Sequence, residues 1–174
     1  GIHIANRNPI AFPTITGELT YIGAEAVERD IAGTKHALAA AGKPVSDGFV
    51  AAISPGSAAR VANAFYEDDE AVVWACADVL REEYKRITDA GLTVQIDAPD
   101  IAEGWDQMNP EPSVEDYRAF SRVRIDALNH ALEGIDPDLV RFHVCWGSWH
   151  GPHTTDIAFK DIVDLALLVN ANGL

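Results

Sequence analysis

The stretch DLVRFHVC (residues 138–145) is an apolar run that ends on a histidine and a cysteine. Short apolar runs of this kind predict a buried β-strand, and alternation along a strand places His143 and Cys145 on the same side. In α/β proteins with parallel strands, the chemistry lies beyond the carboxyl ends of the strands. Imidazole together with thiolate suits zinc, so we predict that His143 and Cys145 are two ligands of a zinc ion. The alternative is a histidine and a thiol that belong to the core.

Strand-like and helix-like segments alternate along the whole chain. Strands are predicted at residues 48–53, 92–97 and 139–145, with a short strand and turn at residues 13–19, and helices are predicted at residues 24–41, 67–90, 113–134 and 158–169. Alternation with short connections predicts βαβ units and parallel strands. Four such units form a small doubly wound sheet or half of an eight-fold barrel, and the turns carry no glycine-rich phosphate motif.

Polar residues end the predicted strands, at Glu18, Ser54, Asp97, His143 and Cys145. This regular delivery favours a (β/α)8 TIM barrel, of which residues 1–174 are predicted to form about half as a single partial domain. The chain begins without Met and stops after a predicted helix, so we expect an internal piece of a longer protein. Because a half barrel leaves strand edges unpaired, the remainder is expected from another segment or a further chain.

Composition limits the partners. The chain has 174 residues and a net charge of -14, which argues against a nucleic-acid partner because such a partner needs a basic surface. No apolar run approaches the roughly 20 residues of a membrane span, so no membrane partner is predicted. The two cysteines are far apart in sequence and do not form a disulfide framework, which is typical of a reducing cytoplasm.

Further site residues are predicted from their positions. Asp97 closes an apolar strand, where it would bind a substrate ammonium, act as an acid or base, or support a metal-bound histidine. Glu103 in the next loop, together with Glu18 and Ser54 at other strand ends, completes the predicted substrate-binding set. Taken alone, Glu103 is also typical of a solvated loop acid.

The loop after Cys145 contains two more histidines, His150 and His153, and two tryptophans, Trp146 and Trp149. The histidines are candidates for completing a metal site, binding an anion or donating a proton to a departing group. The tryptophans offer stacking faces, although packing at the rim is the expected role of one of them. Cys76 falls on the apolar stripe of a predicted helix and is assigned to the core.

Taken together, the segments QIDAP (95–99), EG (103–104) and HVC (143–145) resemble the catalytic domain of cobalamin-independent methionine synthases. Gly17 and Glu18 fall where that family has a Gly-acid turn. The resemblance implies a TIM barrel related to uroporphyrinogen decarboxylase, with zinc held by His, Cys, Glu and a second Cys. It also implies methyl transfer from methyltetrahydrofolate to a thiol such as homocysteine.

The resemblance assigns roles to four residues. His143 and Cys145 would be zinc ligands, Asp97 a substrate contact and Glu103 a residue on the folate side, while the remaining zinc ligands would lie beyond Leu174. The family's Asp-Glu-Pro is Asp-Ala-Pro at residues 97–99, and its folate-stacking tryptophan is absent. Three alternatives therefore stay open: zinc-dependent alkyl transfer to another thiol, as in epoxyalkane:coenzyme M transferase, a metal-free decarboxylase-like barrel, and a non-catalytic fragment.

Overall fold

A computed structural model describes residues 13–148 and 151–174. The strands are β1 (Thr14–Ile15), β2 (Phe49–Ile53), β3 (Ala62–Asn63), β4 (Thr93–Ala98) and β5 (Val140–Val144). The helices are α1 (Ala24–Ala40), α2 (Pro55–Ala58), α3 (Asp69–Asp89), α4 (Val114–Ala131) and α5 (Val163–Ala166). Short 3-10 turns occupy Val45–Asp47, Pro99–Ile101, Glu103–Gln107, Pro137–Leu139 and Phe159–Asp161.

The principal sheet has three parallel strands in the order β2-β4-β5. Its register aligns Ile53, Asp97 and His143 in one row across the sheet. Gly173 adds a parallel bridge to Arg141 on the outer side of β5. The strands β1 and β3 pair separately, also in parallel. The fold is therefore mixed α/β with parallel strands, as the alternation of segments predicts.

Side-chain caps fix the starts of the two long helices. The Asp68 side chain accepts a hydrogen bond from the Ala71 amide at 2.7 Å, and Ser113 accepts one from the Asp116 amide at 3.0 Å. Both caps satisfy amide groups that have no partner within the helix. Ser113 is also the residue at which the helix of residues 113–134 is predicted to begin.

One prediction of local structure is wrong. The helix predicted at 158–169 is only the turn Phe159–Asp161 followed by α5, because Ile162 has φ of -130°, outside the helical region, and separates the two. The β-branched pair of Ile162 and Val163 lowers helix propensity at that point. The short strand predicted at 13–19 is β1, while α2 and β3 were not predicted.

One face of the principal sheet carries the core. Along β4 the side chains alternate, with Val94, Ile96 and Ala98 fully buried and the intervening residues partly exposed. The buried side chains pack with α3 and α4 in one hydrophobic cluster that includes Tyr84 and Ile125. The opposite face is open to solvent. Within the described ranges, no helix combines the length and the apolarity needed to cross a membrane.

Candidate functional site

The centre of the candidate site is a hydrogen-bonded pair formed by Asp97 and His143. They are register partners on β4 and β5, and His143 Nδ1 lies 2.8 Å from Asp97 Oδ1. The Gln95 amide donates to the same oxygen at 2.9 Å. Since an ionised carboxylate only accepts hydrogen bonds, Nδ1 carries a proton, and in the neutral imidazole Nε2 then has the free lone pair. The side chains are 48% and 42% exposed, so Nε2 is available to a ligand.

Cys145 follows the last residue of β5 and is partly exposed. Its Sγ accepts a hydrogen bond from the Gly147 amide at 3.3 Å, and its carbonyl accepts one from the Glu103 amide at 3.1 Å. Gly147 has φ of +88°, a conformation that favours glycine. The Gly147 amide thus lies beside the sulfur atom that would bind a metal.

Glu103 lies beside Cys145, against Gly147. Arg60 lies 3.4 Å from Glu103 Oε2 and donates to Gln107 Oε1 at 3.0 Å. A cleft of about 490 Å³ opens at this point, lined by Glu103, Asp106, Gln107, Trp146, Gly147 and Ser148. The structure thus brings four of the predicted site residues to one end of the sheet: Asp97, Glu103, His143 and Cys145. Arg60 was not predicted, because its partner Glu103 is 43 residues away and no local pattern marks the contact.

Ser54 directly follows β2 and is only 2% exposed. Its hydroxyl caps α2 and donates to Asp100 Oδ1 at 2.6 Å, and the Ser57 hydroxyl donates to the same oxygen at the same distance. Asp100 is 1% exposed, and its carbonyl accepts a hydrogen bond from the Tyr117 hydroxyl at 3.0 Å. Asp100 therefore anchors the loop between Asp97 and Glu103. Because the Ser54 hydroxyl is already hydrogen-bonded to Asp100, we expect Ser54 to support the site by holding Asp100 in place.

Tight packing around the carboxylate of Asp100 explains a glycine in α2. A Cβ on Gly56 would collide with Asp100 Oδ2 and would lie 2.7 Å from Arg124 Cγ. Burial and the negative charge of Asp100 raise the pKa of Tyr117 above its usual range. Asp100 was not predicted, because its partners come from the segment that follows β2.

Glu18 lies elsewhere. It is exposed and lines a different cleft, of about 500 Å³, together with Cys76. Cys76 is buried as predicted, and desolvation raises the pKa of its thiol to about 11. The structure does not bring Glu18 into the cleft that His143 lines.

Of the two loop histidines, only His153 lies within the described residues. His153 Nδ1 lies 3.0 Å from Asp156 Oδ2 in a local pair. His150 and Trp149 lie outside the described residues, so the predicted role of His150 stays a prediction, as does that of His153. Trp146 donates to the Ile157 carbonyl at 2.9 Å and packs edge-on against Phe159, which confirms a packing role for one tryptophan.

A third cleft, of about 510 Å³, lies along β5 beside His143. It is lined by Gln95, Arg141, Phe142, His143, Val144, Trp146, Phe159 and Leu174. In the described part of the chain, no cluster of three or more His, Cys, Asp or Glu side chains is arranged to hold a metal ion. Any metal bound by His143 and Cys145 therefore needs a further ligand.

The fold is similar to that of a B12-independent methionine synthase from Shewanella sp. W3-18-1, solved in complex with selenomethionine. The match covers 83% of this chain and 36% of that one, with a TM-score of 0.54 and 20% sequence identity. The chain thus spans about a third of the length of that enzyme. No protein-family model and no curated protein matches the sequence. At this identity the likeness is one of fold.

Proposed function

We propose that this chain is part of a zinc-dependent thiol methyltransferase of the methionine synthase type, built on a (β/α)8 barrel. The chain would supply about half of the barrel, and the remainder would come from another segment or a further chain. The observation that carries the proposal is the imidazole of His143, held through Nδ1 by Asp97 with Nε2 left for a ligand. The fold similarity to a methionine synthase supports it.

The residues present fit zinc. Histidine ligands commonly donate their second ring N–H to a carboxylate, which fixes the tautomer and the ring orientation, and Asp97 accepts such a bond from His143. Cys145 is partly exposed and its sulfur receives an amide hydrogen bond from Gly147. His143 and Cys145 would bind the ion, and the further ligands would come from outside the described residues.

When bound, zinc would hold a thiol substrate as its thiolate at neutral pH. The residues of this chain would then orient the reactants, which is the principal requirement of alkyl transfer. Asp97 fixes the imidazole of His143 and presents its second oxygen to the substrate. Glu103 lines the neighbouring cleft, where the methyl donor would bind. His150 or His153 would protonate the departing amine.

The finer assignment is methyl transfer from methyltetrahydrofolate to homocysteine. The same donor set would also serve alkyl transfer to another thiol, so the choice of donor is an outcome of assays with each donor. Glu18 joins the substrate contacts of this proposal only if the complete barrel brings its cleft to the site.

Zinc binding to the purified chain tests the proposal. Wild type, His143→Ala, Cys145→Ser and the control His36→Ala, which changes an exposed histidine on α1, are titrated with zinc against a chromophoric chelator. We expect both ligand variants to bind zinc at least about tenfold more weakly than wild type and the control. Equal zinc affinity in all four proteins would contradict the proposal.

A further inference from the structure

The cleft of about 490 Å³ beside Cys145 lies between two segments that follow neighbouring strands. One wall is the 3-10 turn Glu103–Gln107, which comes after β4, and the other is the segment 146–148, which comes after β5. The Glu103 amide donates to the Cys145 carbonyl at 3.1 Å and connects the two walls. The position of the 3-10 turn therefore sets the width of the cleft.

Arg60, from the segment after α2, binds this turn at two points. Its Nη1 and Nη2 atoms each lie 3.4 Å from Glu103 Oε2, and Nη1 also donates to Gln107 Oε1 at 3.0 Å. Both contacts to Glu103 are made to one carboxylate oxygen. The other oxygen, Oε1, lies on the side of Gly147, where an added Cβ would be 3.5 Å from it. Arg60 therefore orients the carboxylate of Glu103 as well as the turn.

The backbone of Arg60 is anchored in the interior. Its amide donates to the Ser57 carbonyl at 3.3 Å, and the Ser57 hydroxyl donates to Asp100 Oδ1 at 2.6 Å. Ser57 and Asp100 are both buried. The contacts of Arg60 therefore connect a buried support to one wall of the cleft.

The ion pair of Arg60 and Glu103 is a weak source of stability. The two side chains are 34% and 32% exposed, and ion pairs this accessible add little to the free energy of unfolding, because water solvates the separated charges. A guanidinium nevertheless offers several N–H donors in one fixed plane, so it selects a single orientation of a carboxylate. The main consequence of the pair is the placement of Glu103 beside the cleft.

We infer that Arg60 is a positioning residue for the cleft beside Cys145. It binds Oε2 of Glu103, leaves Oε1 for a ligand of the cleft, and fixes the wall to which Gln107 belongs. This inference deepens the proposed function and rests on it for the identity of the ligand, which would be the methyl donor. Arg60 acts through Glu103 in this role and touches no reacting atom.

Amide hydrogen exchange of the full chain, followed by NMR, tests the positioning without ligand or metal. The variants are Arg60→Met, Arg60→Lys, Glu103→Met, the double variant of Arg60→Met with Glu103→Met, and the control Arg122→Met. The control removes an equal charge and an ion pair with Asp126 within α4. Urea unfolding verifies that each variant is folded.

We expect Arg60→Met to speed exchange of the residue 103 amide at least about threefold, because the turn opens locally more often. Arg60→Lys should have a smaller effect, and Arg122→Met should have none. The double variant should exchange more slowly than the product of the two single effects predicts, because both substitutions remove the same contact. Unchanged exchange in Arg60→Met, or independent effects in the double variant, would overturn the inference.

Calorimetric binding of methyltetrahydrofolate to the same proteins connects the positioning to the ligand. Arg60→Met should bind it at least about threefold more weakly than wild type and Arg122→Met do, and Arg60→Lys should lie between them. Faster exchange with unchanged affinity would give Arg60 a structural role only and would also overturn the inference. If wild type does not bind methyltetrahydrofolate, the donor assignment of the proposed function is wrong, and the exchange rates alone decide whether Arg60 positions Glu103.

Discussion

The principal sheet has a buried face and an open face, and successive residues of each strand place their side chains on these two faces in turn. Ala52, Ile96 and Phe142 form a row that is buried under the helices. The next row, Ile53, Asp97 and His143, faces the open side and is partly exposed.

Because side chains alternate strictly along a strand, the pairing that buries the first row also places the second row where ligands can reach it. The packing of the core therefore sets the position of the site. It also means that stability and ligand binding are expected to depend on different residues of the same strand.

The largest expected effect tests the stability side of this comparison. Ile96→Ala removes a fully buried side chain and is expected to lower the free energy of unfolding by about 2–5 kcal/mol, through lost burial and the cavity left behind. Thr93→Ala, on the open face of the same strand, is expected to cost at most about 1 kcal/mol. Urea unfolding followed by circular dichroism measures both, and equal losses would contradict the division of the faces.

The two cysteines extend the comparison to reactivity. Cys76 lies on the buried side of α3, and desolvation raises the pKa of its thiol to about 11. Cys145, beyond the end of β5, is partly exposed. Since the thiolate is the reactive form, iodoacetamide at neutral pH is expected to alkylate Cys145 on the order of a hundredfold faster than Cys76.

Mass spectrometry of the time course measures this ratio. Because the folded-state pKa of Cys76 is raised, its rate should keep increasing with pH up to about 11. Cys145→Ser should abolish the fast reaction and Cys76→Ser should preserve it. Similar rates for both thiols would show that Cys145 is less accessible than the structure indicates.

The sequence predicts the elements in which periodicity is strong. The stripe of α3, predicted at 67–90, is observed at Asp69–Asp89, and β4 and β5 lie within two residues of their predicted bounds. The helix prediction for residues 158–169 is wrong. Apolar residues there would occur on all sides of a helix, and Leu167 and Leu168 remain exposed. The sequence pattern does not indicate which of these apolar residues are buried.

For the candidate site, residues that stand at strand ends were predictable, because position along the strand determines them. The contact of Asp97 with His143 follows from the register of two adjacent strands, and support of a metal-bound histidine is one of the roles that the position of Asp97 predicts. Asp100 was not predicted. Its role depends on partners more than 40 residues away in sequence.

The pairing of His143 with Asp97 has a close counterpart on the helical side of the molecule. His130 Nε2 lies 2.7 Å from Asp78 Oδ1 between α3 and α4, close to the 2.8 Å of the site, but the contact is made by the other ring nitrogen. There, however, Nδ1 faces Glu133 at 3.9 Å, and the Trp74 ring packs edge-on against the imidazole. The pair of His130 and Asp78 therefore connects two helices, whereas the pair of His143 and Asp97 leaves a ring nitrogen accessible to a ligand.

The smallest predicted effect compares these two pairs. Asp97→Asn removes the charge that orients the His143 imidazole, and it is expected to weaken zinc binding about 10–100-fold with little change in stability. Asp78→Asn, the matched control, should leave zinc affinity unchanged, because His130 takes no part in the site. Zinc titration of both variants measures the difference. If Asp97→Asn binds zinc as tightly as Asp78→Asn does, then the carboxylate of Asp97 does not support a metal ligand, and its hydrogen bond to His143 has only a structural role.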